Sequence, residues 1–106
     1  MSLFQHYIAL HSSAYFSDFE PVANMEEAIE LVKSRNIRSE IIGDWLWCFT
    51  NYLVGFQLVR AGFWRSTKHD AYIYAENRPD KETTVATLPQ IREEYGCRPV
   101  VGGVYV

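Results

Sequence analysis

A chain of 106 residues with a formal net charge of −3 has the size of one domain with a single modest core. That charge gives no electrostatic case for nucleic acid beyond what a local basic patch could supply. No apolar run approaches the ~20 residues that span a bilayer, so no membrane partner is expected.

Aromatic content stands out: three Trp, seven Tyr and six Phe. Such side chains bury large areas and also build binding surfaces; core is the preferred reading. The opening MSLFQHYIALHSS lacks the basic region and small-residue cleavage pattern of a signal peptide. The expected location is therefore the cytoplasm, where Cys48 and Cys97 are reduced thiols and no disulfide is required.

Phe4, His6, Ile8 and Leu10 alternate as in a strand, whereas Phe4, Tyr7, Ile8 and His11 fit a helix face; the strand is the reading taken. Residues 12–21 read as a loop that tucks Tyr15, Phe16 and Phe19 beneath it. The first clear helix covers 25–35. Asn24 caps it, Glu27 completes a capping-box spacing, and Met25, Ala28, Ile29 and Val32 form its apolar face. Asn36 can take the left-handed closing conformation.

The stretch GDWLWCFTNYLVGFQLVRAG, residues 43–62, reads as a strand that becomes a helix. A single helix from Glu40 to Ala61 would have to hold Gly43, Gly55 and the β-branched residues Ile41, Ile42, Thr50, Val54 and Val59. As one strand to about residue 49, Ile41, Trp45, Trp47 and Phe49 point one way. After Thr50 and Asn51, both good caps, the period changes. Tyr52, Leu53, Phe56 and Val59 then share a helix face, and Gly62 ends the helix near residue 61.

Two short strands, 63–66 and 71–75, follow with Lys68, His69 and Asp70 as their turn. Residues 77–82 form a charged exposed loop. A short helix begins at Thr87 with Pro89 in its first turn and stops at Gly96. The apolar end from Pro99 to Val106 reads as an edge strand or a subunit contact. The expected fold is a single α+β domain over 1–106. It has a mixed or antiparallel sheet of about four to five strands, with two to three helices packed on one face.

The pattern Gly43-x-Trp45-x-Trp47, Leu58 four residues before Gly62, then Ser66, Lys68 and aromatic Tyr72 resembles a small module of uncharacterised phage, plasmid and other mobile-element proteins. The match covers about residues 41–76. It departs in a turn shortened after Trp47, few lysines in the helix, and Tyr72 where the module has Trp. The resemblance implies a mobile-DNA origin and a β-α-β-β arrangement, and no known catalytic chemistry.

The candidate binding residues are Trp45, Trp47, Arg60, Trp64, Arg65, Lys68, His69, Tyr72 and Tyr74. Trp45 and Trp47 could stack a planar ligand, although packing under helices is the commoner use of such a pair. Arg60, Arg65, Lys68 and His69 with Trp64 and Tyr72 would make the best basic-aromatic patch in the chain, with an ordinary solvated turn as the plainer reading. His69 and Asp70 could form half of an acid–base pair with Cys48 or Ser66, but adjacent turn residues rarely face one another, so no catalytic residue is assigned. His6 and His11 are wrongly spaced for joint ligation and Cys97 stands alone, so neither metal nor cofactor is expected. Glu26, Glu27 and Glu30, with Glu93 and Glu94, could mimic nucleic-acid phosphates, a minor reading.

The expected function is a non-enzymatic binding or adaptor module for a host protein or nucleic acid, with a homodimer as one assembly. The alternative is a small enzyme or small-molecule-binding protein with a pocket between the sheet and the loop 76–82.

Overall fold

The computed structural model describes residues 18–77 and 86–102. The readings of residues 4–11, of Tyr15 and Phe16, of positions 78–82 and of the chain beyond Gly102 lie outside that range.

Helix α1 spans Met25–Ser34. The Glu27 N–H donates to Asn24 Oδ1 at 2.9 Å, and the Glu27 carboxylate accepts from the Ala23 N–H at 2.9 Å, one residue upstream of the cap. The helix closes in a Schellman motif: Asn36 takes φ 55°, and the Ile37 and Asn36 N–H groups donate to the carbonyls of Val32 and Lys33. Ala28 and Val32 are buried beneath it.

The residues after it do not form one strand. Gly43, at φ +62°, reverses the chain between β1 (Ser39–Ile42) and β2 (Trp45–Cys48). Positive φ at the first of two central residues suits a tight hairpin and costs glycine little. Ile41 therefore pairs across with Leu46, while Ile42 pairs with Trp45 and Glu40 with Trp47. Directly opposed residues share a face, so Ile41 lies on the face opposite Trp45 and Trp47. The expected continuous alternation fails at the glycine.

Helix α2 (Tyr52–Ala61) follows, its Val54 N–H donating to Asn51 Oδ1 at 2.9 Å. Gly62, at φ 120°, and Phe63 close it through bonds to Val59 and Leu58. Then come β3 (Trp64–Ser66), β4 (Ala71–Tyr74), α3 (Leu88–Tyr95) and β5 (Cys97–Val101). A complete capping box starts α3, with Thr87 and Gln90 exchanging bonds.

The five strands form one antiparallel sheet in the order β3-β4-β2-β1-β5. The architecture is α+β, with β5 as an edge strand. Ile41, Leu46, Cys48, Tyr72 and Tyr74 face α1 and α2, and Phe19 joins that core. Ile42, Trp47, Trp64, Ala71 and Ile73 form a second cluster on the other face, where Ile91 of α3 packs. Two helices thus share one face as expected, and the third covers the reverse, because both faces of the central strands carry large apolar side chains that must leave water.

Two contacts fix how the helices sit. A Cβ placed on Gly55 would lie 2.0 Å from Tyr72 Cζ, so α2 can rest on the Tyr72 ring only with glycine there. On the reverse face, the Arg92 guanidinium of α3 reaches the Glu40 carboxylate of β1, with Nε to Oε1 at 2.7 Å and Glu40 buried.

Candidate functional site

The aromatic residues singled out in the sequence are divided between the two sheet faces. Trp45 and Trp47 do share a face. Trp47 is buried beside His69, ring centroids 5.4 Å apart, and half-buried Trp45 meets Trp64 edge-on at the same separation. Tyr72 and Tyr74 are buried on the opposite face beneath α1 and α2. The four rings therefore do not form one stacking platform. Among the described residues, the Trp47 indole N–H has no acceptor.

The basic residues are dispersed too. Arg60 ends α2 and pairs with Asp18, Nη2 to Oδ2 at 3.1 Å. Arg65 sits across from Tyr72, its guanidinium 5.0 Å from that ring's centroid, and bonds Asp70 Oδ1 at 2.7 Å. This bond to Asp70 is the main cause that raises the Arg65 pKa. Lys68 is exposed in the turn, and His69 leans the other way, onto Trp47. With Trp64 and Tyr72 on opposite faces, these six residues make no single patch.

Nor do His69 and Asp70 cooperate, since Asp70 engages Arg65 while His69 contacts Trp47. Cys48 is buried in the core on the face away from His69, and desolvation drives its thiol pKa far above the usual range. A thiol so placed is inert as a nucleophile. Burial, with the charges of Glu76 and Glu27, also raises the Tyr74 phenol. Among the described residues no three His, Cys, Asp or Glu side chains gather as metal ligands, and no helix is long and apolar enough to cross a membrane.

A recess of about 430 Å³ lies at the strand ends near Trp45 and Ala75–Asn77, close to where a pocket beside the charged loop was expected. It is lined in part by Asp44, Glu76 and Arg98. Glu76 is already engaged, its Oε2 accepting from the Met25 N–H at 2.9 Å.

Tyr52, Leu53, Phe56 and Val59 share one face of α2, as their spacing expects. They point into solvent, 74 %, 68 %, 56 % and 44 % exposed. The buried side of the helix is Gly55, Leu58 and Ala61, with Val54 partly covered. Glycine stands at position 55 because Tyr72 fills the space beneath that turn of the helix. The larger apolar side chains are left outward as a stripe one helix long.

Compared with protein-family models, curated proteins and solved structures, the chain matches none of them. Most of the residues behind the sequence resemblance have work within the fold. Gly43 makes a turn, Trp47 and Leu58 are buried, Gly62 closes a helix, and Ser66 is buried with its Oγ accepting from the His69 N–H at 3.3 Å. A pattern made of such positions specifies a scaffold. The sequence did carry a signal for the outward stripe: Gly55, Leu58 and Ala61 trace a second helical line, with small residues on either side of Leu58 that permit close approach.

Proposed function

We propose that the chain is a non-enzymatic binding module whose partner is a protein, and that α2 presents the binding surface. The observation that carries this reading is the outward stripe of Tyr52, Leu53, Phe56 and Val59. A contiguous exposed apolar patch has an energetic cost in water and marks contact surfaces. Helix-borne anchors at i, i+1, i+4 and i+7 suit docking against a partner helix or groove. Protein is favoured over nucleic acid because the stripe is apolar and its neighbouring cation Arg60 is paired with Asp18. The mobile-element resemblance supports an adaptor role toward a host protein. The location proposed with it is the cytoplasm, where Cys48 and Cys97 would be reduced thiols.

The test is a photo-crosslinking residue at position 56 of the full chain, irradiated in host cells, with position 33 on α1 as control. A discrete adduct that protease removes and nuclease does not, present at 56 and absent at 33, is the expected result. Nuclease-sensitive adducts, or none at 56, would overturn the proposal. An adduct of twice the chain mass would instead assign the surface to a homodimer.

A further inference from the structure

The recess of about 430 Å³ at the strand ends shares no residue with the outward stripe of α2, and its volume suits a small molecule. Its floor is apolar, with Ile41 of the sheet core and Ile29 of α1 packed against that core. Its charged groups are sorted by sign across the sheet. Glu76 follows β4, and Asp44 precedes β2 with half-buried Trp45 beside it. Arg98 stands on β5 opposite Ile41 in register, and so on the same face as α1. The strand order β4-β2-β1-β5 therefore puts two carboxylates on one side of the recess and a guanidinium on the other. Asp44 and Arg98 are exposed, and among the described residues neither makes an ion pair. Glu76 is held in place by the Met25 N–H, which occupies one of its oxygens.

We infer that this recess binds a short peptide with free termini. Its ammonium group lies by Trp45 between Asp44 and Glu76, where the ring face and the carboxylates both attract a cation. Its carboxylate meets the planar fork of Arg98. An apolar side chain between the termini covers Ile29 and Ile41. The length follows from the topology. Neighbouring strands lie about 4.8 Å apart, so β2 and β5, two steps apart, are separated by roughly 10 Å. Side chains reaching inward shorten that span, and an extended chain covers about 3.3–3.6 Å per residue, so about two to three residues fill it. A single amino acid carries its two charges too close together to reach both sides. A ligand with positive charge alone would set a like charge against Arg98, and one with negative charge alone would do so against Asp44 and Glu76. The assignment does not rest on α2.

The test titrates the isotope-labelled full chain and follows its amide signals by NMR. The probes are the tripeptide Ala-Leu-Gly, its N-acetylated form, its C-terminal amide, and free leucine. Expected are saturable shifts at Asp44, Trp45, Glu76 and Arg98, with a Kd of about 1 mM or below for the free tripeptide. Blocking either terminus should weaken binding by about tenfold, and so should shortening to leucine. Arg98→Gln should weaken the free tripeptide by about tenfold and leave the amide unchanged. Asp44→Asn should weaken the free tripeptide and leave the acetylated form unchanged. Both positions are exposed, and the same spectra confirm that each variant is folded. Equal binding of the blocked and free tripeptides would overturn the assignment, as would the absence of saturable shifts up to about 10 mM or shifts confined to α2. Tighter binding of leucine would overturn it in favour of an amino acid. In each case the reading of α2 as a protein-binding surface is left standing.

Discussion

Replacing Gly55 with alanine places a methyl carbon 2.0 Å from Tyr72 Cζ and 2.3 Å from its Oη. Carbon atoms rest at about 3.5–4.0 Å, so α2 must lift by roughly 1.5 Å or the ring must turn. Tyr72 is buried, paired across from Cys48, and covered by the Arg65 guanidinium, which opposes turning. Forcing a methyl into a packed core costs about 1–3 kcal/mol, against a helix-propensity gain of about 1 kcal/mol for Gly to Ala. An overlap as deep as 2.0 Å puts the packing cost in the upper part of that range, so the expected net loss is about 1–2 kcal/mol. Urea unfolding followed by tryptophan fluorescence should show a midpoint lowered by about 1 M, for a slope near 1–1.5 kcal/mol/M. In a Tyr72→Leu background the same substitution should cost less, giving a coupling of about 1 kcal/mol. A Gly55→Ala protein as stable as the parent, or more so, would refute the reasoning. The helix would then be turned differently on the sheet, and the outward stripe would lose its basis.

Phe56→Ser should change stability by no more than about 0.5 kcal/mol, as for exposed sites, where an inward Phe would cost about 3–5 kcal/mol; urea melts distinguish the two. Arg92→Met leaves the buried Glu40 carboxylate without its guanidinium and should destabilise by about 3 kcal/mol, with much of the loss recovered in the Glu40→Gln/Arg92→Met double variant. In the native protein a thiol reagent should modify Cys97 alone, with Cys48 reacting only after denaturation. Because burial raises the Cys48 pKa above that of the unfolded chain, the unfolded thiol ionises first; stability is intact below about pH 8.5 and declines as pH rises above it, which urea melts at pH 7 and pH 9.5 would report.

Much of the framework was legible because local chemistry dictates it. Asn24, Asn51 and Thr87 cap helices as their side chains predict, and the change of period near Thr50 marks a real strand-to-helix boundary. Gly43 was harder to read, because a glycine between two apolar runs fits a strand interior as readily as a hairpin until the register is known. The rotation of α2 was hidden for a deeper reason. Both sides of that helix are apolar, and hydrophobic periodicity favours the side with the larger residues. The structure buries Gly55, Leu58 and Ala61 instead, because Tyr72 takes the volume a leucine at position 55 would need. The candidate binding residues near 64–72 are close in sequence, yet strand alternation sends Trp64 and Tyr72 to opposite faces and the turn directs Arg65 and His69 apart.

Hydroxyl-radical footprinting of the purified chain, read residue by residue by mass spectrometry, tests the outward stripe most directly. Tyr52, Leu53 and Phe56 should oxidise at rates near those of an unfolded peptide, while Trp47 and Tyr72 stay protected. Protection of Tyr52 and Phe56 equal to that of Tyr72 in the free monomeric chain would contradict the account.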